Sequence, residues 1–349
     1  MVLGDLASGF VNILAYQLSA PLKRGPYPDL ATFEKRLAKC PFTGQVERAL
    51  WAGFHADRLG YAFVGGYGAA LARLFEHAAQ VRAAAAATAA AGGPKLRESS
   101  PRLGQDRPLA ARVCICATEA GGGHPRSIKT RLDKQGGALL LNGEKTFATL
   151  ATVSDELLVV ASRGIEADGK NRLRIVRVKP NAKGVTITPR EMVPFAPEIP
   201  HAVVTLVDVV VENEDVLPGD GYDVWLKPFR TIEDTHVLAA TVGYLQGAAR
   251  VYGFSRDVSA ELVSLSLALI DVGARDPSAP LTHVVLAGLF ASVRRLVRDL
   301  GDREWEKAEA EERARWQRDL PLLSVADTVR EKRTQVALAA VEAATASRS

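Results

Sequence analysis

The segment Ala120-Gly121-Gly122-Gly123-His124-Pro125 constrains this chain more than any other, because three consecutive glycines followed closely by a proline fit neither a helix nor a central strand. The backbone must turn there. Before it, Val113 to Ala117 is a short apolar run ending at Thr118-Glu119; after it, Ser127 to Leu132 and Ala138 to Leu141 have strand composition. Asn142-Gly143 is a dipeptide favoured by two-residue type I′ hairpins, with Glu144 to Ala148 as the returning strand. A β domain is therefore expected to start near residue 110. Consecutive glycines let backbone N–H groups approach a phosphate or ring oxygen, and Thr118 and Thr149 bring hydroxyls to the same region if the strands pair. Such a loop suits an anionic or heteroaromatic ligand.

Helical spacing dominates on either side. Val46, Leu50 and Phe54 recur every four residues, and an Ala-rich run from Ala78 to Ala91 stops at Gly92-Gly93-Pro94. The polar, proline-containing stretch 95–108 reads as a linker or exposed loop. Strand-like runs follow at Glu156 to Ser162, Arg172 to Val178, Val185 to Thr188 and Ala202 to Val211, which suggests a barrel or sandwich. Beyond the turn at Leu217 to Gly221, helical spacing returns, with Val285, Leu289, Val293, Leu296, Val297 and Leu300 on one side of a helix. Glu304 to Arg318 is expected as one charged helix carrying Trp305 and Trp316, and Pro321 separates it from a last helix at about Ser324 to Ala344.

With 349 residues, 47% apolar and 24% charged, the chain is long enough for two or three globular domains. A net charge of +4 argues for neither nucleic acid nor an acidic membrane surface as partner. Cys40, Cys114 and Cys116 are too few for a disulfide framework, and the pair on one strand face lacks the further ligands of a zinc site, so no metal is expected. Met1 to Leu22 has no basic region before its apolar residues, and no uninterrupted apolar stretch reaches bilayer length. The expectation is a cytoplasmic protein without a membrane span.

Two elements in register, Thr118-Glu119-Ala120-Gly121-Gly122-Gly123-His124-Pro125 and Asn142-Gly143-Glu144-Lys145-Thr146-Phe147-Ala148-Thr149, resemble the acyl-CoA dehydrogenase family. Its middle domain carries Thr-Glu-Pro-Gly-x-Gly-Ser-Asp followed by Asn-Gly-x-Lys-x-(aromatic)-Ile-Thr. The stretch 201–221 also looks like the family's final barrel strand and exit loop, and Thr231 to Gly247 like the first long helix of its C-terminal bundle. The resemblance implies an α+β fold: a helical N-terminal domain with linker (1–109), a middle β-barrel domain (110–216) and a C-terminal helical bundle (217–349). It further implies FAD held by Thr118, Gly122, Gly123, His124, Phe147 and Thr149. His124 replaces the serine that serves a flavin phosphate, which leaves open whether the imidazole donates instead or the contact is lost. Phe147 stands where the family often has Trp against the flavin.

In this family a carboxylate removes the proton next to a thioester carbonyl while the neighbouring carbon passes hydride to the flavin. The Tyr-x-x-Glu-Gly loop that usually carries the base is absent from residues 300–349. Other members place the glutamate on the first long helix of the bundle, and that alignment selects Glu233. An acidic residue early in a helix also suits the macrodipole. Asp234 stands where the family often has Arg, and a second carboxylate raises its neighbour's pKa if the two are close. The Arg and Phe-Gly stretch that reaches flavin across a subunit boundary is missing from 258–264. The resemblance thus implies an acyl-CoA substrate, an electron-transfer flavoprotein or similar acceptor, and a homo-oligomer or a hetero-oligomer with a homologue. Two alternatives stay open: a non-catalytic partner or acyl-CoA-binding subunit, and a flavin oxidase or monooxygenase on the same scaffold.

Overall fold

Apolar residues recur at helical spacing before residue 90 and beyond 227, with strand-like runs between, and the chain folds in that order. The computed structural model describes residues 9–22, 24–90, 112–122, 125–191 and 193–346. The expected linker over 95–108 lies outside them. The class is α+β, with helices before and after a β domain, as predicted. By packing, the chain divides into a helical unit of Met1–Arg73, Pro194–Glu198 and Phe229–Ser349, and a β unit of Leu74–Val193 and Ile199–Pro228.

The helical unit contains α1 (Gly9–Ser19), α2 (Leu30–Leu37), α3 (Gln45–His55), the first part of α4 (Leu59–Ala90), most of α5 (Lys227–Tyr252), α6 (Arg256–Ala274), α7 (Pro280–Trp305), α8 (Ala310–Asp319) and α9 (Asp327–Ala346). The helical stretch over 45–90 divides at 56–58, where Asp57 accepts the Tyr27 N–H at 2.9 Å and pairs with Arg58. Leu50 and Trp51 of α3, Tyr244 and Leu245 of α5, and Leu262 and Leu269 of α6 enter one core. Each such side chain contributes about 1.5–3 kcal/mol by leaving water. Glycines let α3 and α5 approach this closely: a Cβ on Gly53 would lie 1.8 Å from the Ala240 carbonyl oxygen, and one on Gly243 2.1 Å from that of Leu50. Gly243→Ala is expected to force the helices apart and cost about 1–3 kcal/mol in urea denaturation; an unchanged midpoint would contradict this packing.

The segment Glu304 to Arg318 is not one helix, contrary to expectation. It comprises the end of α7 and α8, with Trp305 and Trp316 stacked 4.8 Å apart in the core. In a continuous helix residues eleven apart stand roughly 16 Å apart along the axis, so this contact requires the break. By length and composition α7 over Pro280–Gly301 passes the test for a membrane span, which the sequence reading did not expect. Its apolar stripe, Leu286, Phe290, Val293, Leu296 and Leu300, instead packs in the helical core.

The β unit is a seven-stranded sheet of β1 (Val113–Cys116), β2 (Arg131–Gln135), β3 (Ala138–Thr149), β4 (Glu156–Ile165), β5 (Asn171–Val178), β6 (Val185–Pro189) and β7 (His201–Val211). The order is β1-β4-β2-β3-β7-β6, with β5 also paired to β4. Strand β1 runs parallel to β4, and β3 runs antiparallel to both β2 and β7. Leu141, Ala148, Val159, Val176, Val204 and Leu206 fill its core. Cys114 and Cys116 share the inward face of β1 as the alternation predicts, with sulfurs 3.6 Å apart.

The hairpin does not turn at Asn142-Gly143. Its turn is Gly136-Gly137, with φ of 55° and 91°, and β3 runs straight through Asn142. Positive φ at both central residues is what a type I′ turn demands, and two glycines supply it without strain. Asn142 instead pairs with Asp208 on β7, donating to its carboxylate at 3.1 Å and accepting its N–H at 2.7 Å. Strand composition at Ser127 also fails, because Pro125–Ser127 form a 3-10 turn and β2 begins at Arg131.

Candidate functional site

Two irregularities in the β3/β7 ladder, at Leu141/Gly143 and at Lys145/Ala148, shape the β-unit site. The second places Thr146 and Phe147 consecutively between two fully buried residues, Lys145 and Ala148, so both escape the core. Thr118 forms a β-bridge with Phe147, and its carbonyl accepts the Thr146 N–H at 2.9 Å. Thr149 lies opposite His201 across the ladder. The structure therefore brings Thr118, Phe147 and Thr149 together, each partly buried.

The glycine turn begins at the same place. Glu119 and Gly122 exchange backbone hydrogen bonds of 2.8 and 3.3 Å, and Gly122 has a φ of 89° that favours glycine. Among the described residues nothing stands within 4 Å of where its Cβ would be. Gly123 and His124 lie outside the described residues.

Beneath the turn is an ion pair that motif reading passed over. Glu119 accepts the Lys145 ammonium at 2.6 Å, the Lys129 N–H at 2.7 Å, and both the N–H and hydroxyl of Thr130 at 3.1 and 2.7 Å. Lys145, with no exposed surface, also donates to the Val160 carbonyl at 2.6 Å. Burial pushes the Glu119 carboxyl up, but the Lys145 ammonium and these donors outweigh it and hold it below its ordinary range. Burial lowers the Lys145 ammonium, which Glu119 restores in part. A Glu in one motif element and a Lys in the other was the available signal.

His201 and Arg190 were also missed as site residues. The His201 and Phe147 rings lie 4.3 Å apart, and the Arg190 guanidinium sits 5.5 Å from the Phe147 centroid while donating to the Thr146 carbonyl at 2.6 Å. Burial and the Arg190 charge lower the His201 pKa, and its Nδ1 is buried without a hydrogen-bond partner. Together these residues form an aromatic and cationic platform with hydroxyls at its edge.

Glu233 belongs to the helical unit. It stands in the second turn of α5, past the first-turn N–H groups that a macrodipole role would serve. Its carboxylate is partly buried and makes no hydrogen bond or ion pair with any described residue. Burial first, and then the Asp234 carboxylate, push its pKa up to about 7, against the pull of Arg330 and Arg230. Such a group can exchange a proton near neutrality.

Residues 114–209 match the family described as acyl-CoA dehydrogenase, middle domain. No curated protein matches the chain. Among solved structures, butyryl-CoA dehydrogenase from Megasphaera elsdenii is similar over 97% of this chain and 99% of its own, with 14% identity and a TM-score of 0.62. PigA with FAD and proline is similar over 95% and 96%, with 12% identity and a TM-score of 0.64. FMN-bound TdsC from Paenibacillus sp. A11-2 is similar over 94% and 93%, with 14% identity and a TM-score of 0.60.

Proposed function

We propose that this chain, whose residues 114–209 match the acyl-CoA dehydrogenase middle-domain family and whose fold is similar to that of butyryl-CoA dehydrogenase, is a flavin-dependent enzyme that introduces a double bond between the two carbons following the carbonyl of an acyl-CoA thioester. The observation that carries the reading is Glu233: a partly buried carboxyl with no partner among the described residues, raised to about 7. A free carboxylate of that basicity is what removal of a proton next to a thioester carbonyl requires.

The β-unit platform fits a flavin on chemical grounds. Among the described residues the buried Nδ1 of His201 has no hydrogen-bond partner and nothing stands within 4 Å of a Cβ at Gly122, and Phe147 offers an aromatic face flanked by Thr118 and Thr149. In this reading Thr118, Phe147 and Thr149 hold the ring system, while Gly122, Gly123 and His124 serve the phosphate side of FAD. The flavin, when bound, supplies the acceptor for the hydride. Glu233 takes the proton onto a carboxylate oxygen and, being partly buried, holds it away from bulk water. An electron-transfer flavoprotein or similar acceptor would reoxidise the protein, which we propose to be an oligomer, as the family resemblance implies.

A second reading, oxidation or oxygenation of a small substrate, draws support from the likeness to PigA with FAD and proline. A third, a non-catalytic partner or acyl-CoA-binding subunit, draws support from the missing Tyr-x-x-Glu-Gly and Phe-Gly stretches. The deciding experiment is the visible spectrum of the purified protein before and after anaerobic addition of a panel of acyl-CoAs. Flavin bands that bleach with one chain class are the expected result. Bands that no acyl-CoA bleaches, with reduced flavin rapidly reoxidised by air, favour the second reading. A colourless protein that FAD cannot reconstitute favours the third.

A further inference from the structure

Next to Glu233 in sequence is a second carboxylate whose surroundings are unusually complete. Asp234 is buried, and each of its oxygens is taken by a different arginine of α9: Oδ1 by Arg330 Nε at 2.9 Å and Oδ2 by Arg333. Arg330 is itself held from several sides. Its Nη1 donates to Asp327 Oδ1 at 3.0 Å, its guanidinium lies 4.1 Å over the Phe290 ring of α7, and Asp327 is further engaged by Arg294 of α7 at 2.7 Å. A planar fork that bonds in its plane while stacking on an aromatic face is specific to arginine. The result is a fixed positive charge brought to α5 by α9.

Resting on the reading of Glu233 as base, we infer that Arg330 and Arg333 are positioning residues for it: by pairing with both oxygens of Asp234 they offset the charge of the carboxylate that adjoins the base. The charged groups acting on Glu233 are Asp234 and Arg230 on its own helix and Arg330 on α9. Asp234 opposes ionisation of Glu233, whereas Arg330 favours it both directly and by compensating Asp234. Without α9, Arg230 alone would offset the repulsion between the two adjacent carboxylates. A network that only docks α9 predicts a loss of stability on mutation and no change in the titration of Glu233.

The test is a pH titration of the protonated Glu233 carboxyl by difference infrared spectroscopy on the full chain, the band being assigned by its disappearance in Glu233→Gln. Arg330→Gln should raise the midpoint by about one pH unit or more, and Asp234→Asn should lower it. Arg330→Lys, which keeps the charge, should stay close to the parent. Should Arg330→Gln fail to fold, Arg333→Gln removes one of the two partners of Asp234 and is expected to raise the midpoint in the same direction. Coincident midpoints, or shifts opposite in sign, overturn the inference. The two readings fail separately: turnover retained in Glu233→Gln would remove the base while this titration still measured the coupling, and unshifted midpoints would remove the coupling while leaving the base in place.

Discussion

Glu233→Gln is expected to reduce acyl-CoA turnover by about 10²–10⁴-fold while leaving flavin content unchanged. The substitution keeps the size and hydrogen-bonding shape of the side chain and removes only its ability to take a proton. The same variant should be more stable than the parent in mild alkali. The Glu233 pKa rises from 4.5 to about 7 on folding, so between these values the folded state binds more protons than the unfolded chain. Its contribution therefore falls as pH rises through that window, and above pH 7 the cost of ionising it is fully present. That cost is on the order of 2 kcal/mol once the solvent-reaching part of the side chain is discounted. Urea denaturation at pH 5 and pH 8 reads it directly. Glu233→Gln should come close to the parent at the lower pH, where only a small part of the cost is present, and exceed it clearly at the higher one, and equal stabilities at both would show that the carboxyl is not destabilised by burial. Loss of turnover without this signature would point to a positional role for Glu233 in place of proton transfer.

What the sequence made legible, and what it did not, follows from the range of the forces involved. Strands β4, β5 and β7 announce themselves because their apolar runs line one core, and α5 and α7 because their stripes have a helical period. The hairpin was misplaced because Asn142-Gly143 and Gly136-Gly137 both satisfy the local rule, and the choice rests on the pairing of Asn142 with Asp208, 66 residues away. The break before α8 is likewise set by the stacking of Trp305 on Trp316, not by any residue that stops a helix. At the site, Thr118, Phe147 and Thr149 come together as the motif order predicts, since a β-bridge and one strand carry all three. His201 and Arg190 could not be anticipated in the same way. They reach Phe147 only through the β3/β7 ladder and an adjoining turn, and their ring and charge contacts have no sequence period. The state of Glu233 was outside local reading too, because Arg330 of α9 acts on it from 97 positions further along the chain.

Lys145→Met should cost about 3–5 kcal/mol and loosen the glycine turn. The substitution leaves the Glu119 carboxylate buried without its counter-charge, and two short backbone donors and the Thr130 hydroxyl cannot replace a full positive charge. Because Glu119 also exchanges backbone hydrogen bonds with Gly122, the damage should reach the loop proposed to serve the flavin phosphates. The parent carries this contribution above the ordinary carboxylate range. It is lost in acid, as pH falls through the still lower value at which Glu119 takes up a proton in the fold, and again in alkali, as pH rises through the lowered value at which Lys145 gives up its proton. The variant has lost it already at pH 7. Adding Glu119→Gln to Lys145→Met should restore part of the stability, because a neutral amide no longer buries a charge and its one oxygen can still accept from Thr130, although its NH2 cannot accept from the Lys129 N–H as Oε2 does. Urea midpoints of the two single variants and the double at pH 7 form the cycle that separates these terms. A double variant as unstable as the two losses combined would mean that the pair acts through packing alone. Recovery of stability in the double variant without recovery of flavin retention would locate the role of the charge in the turn itself.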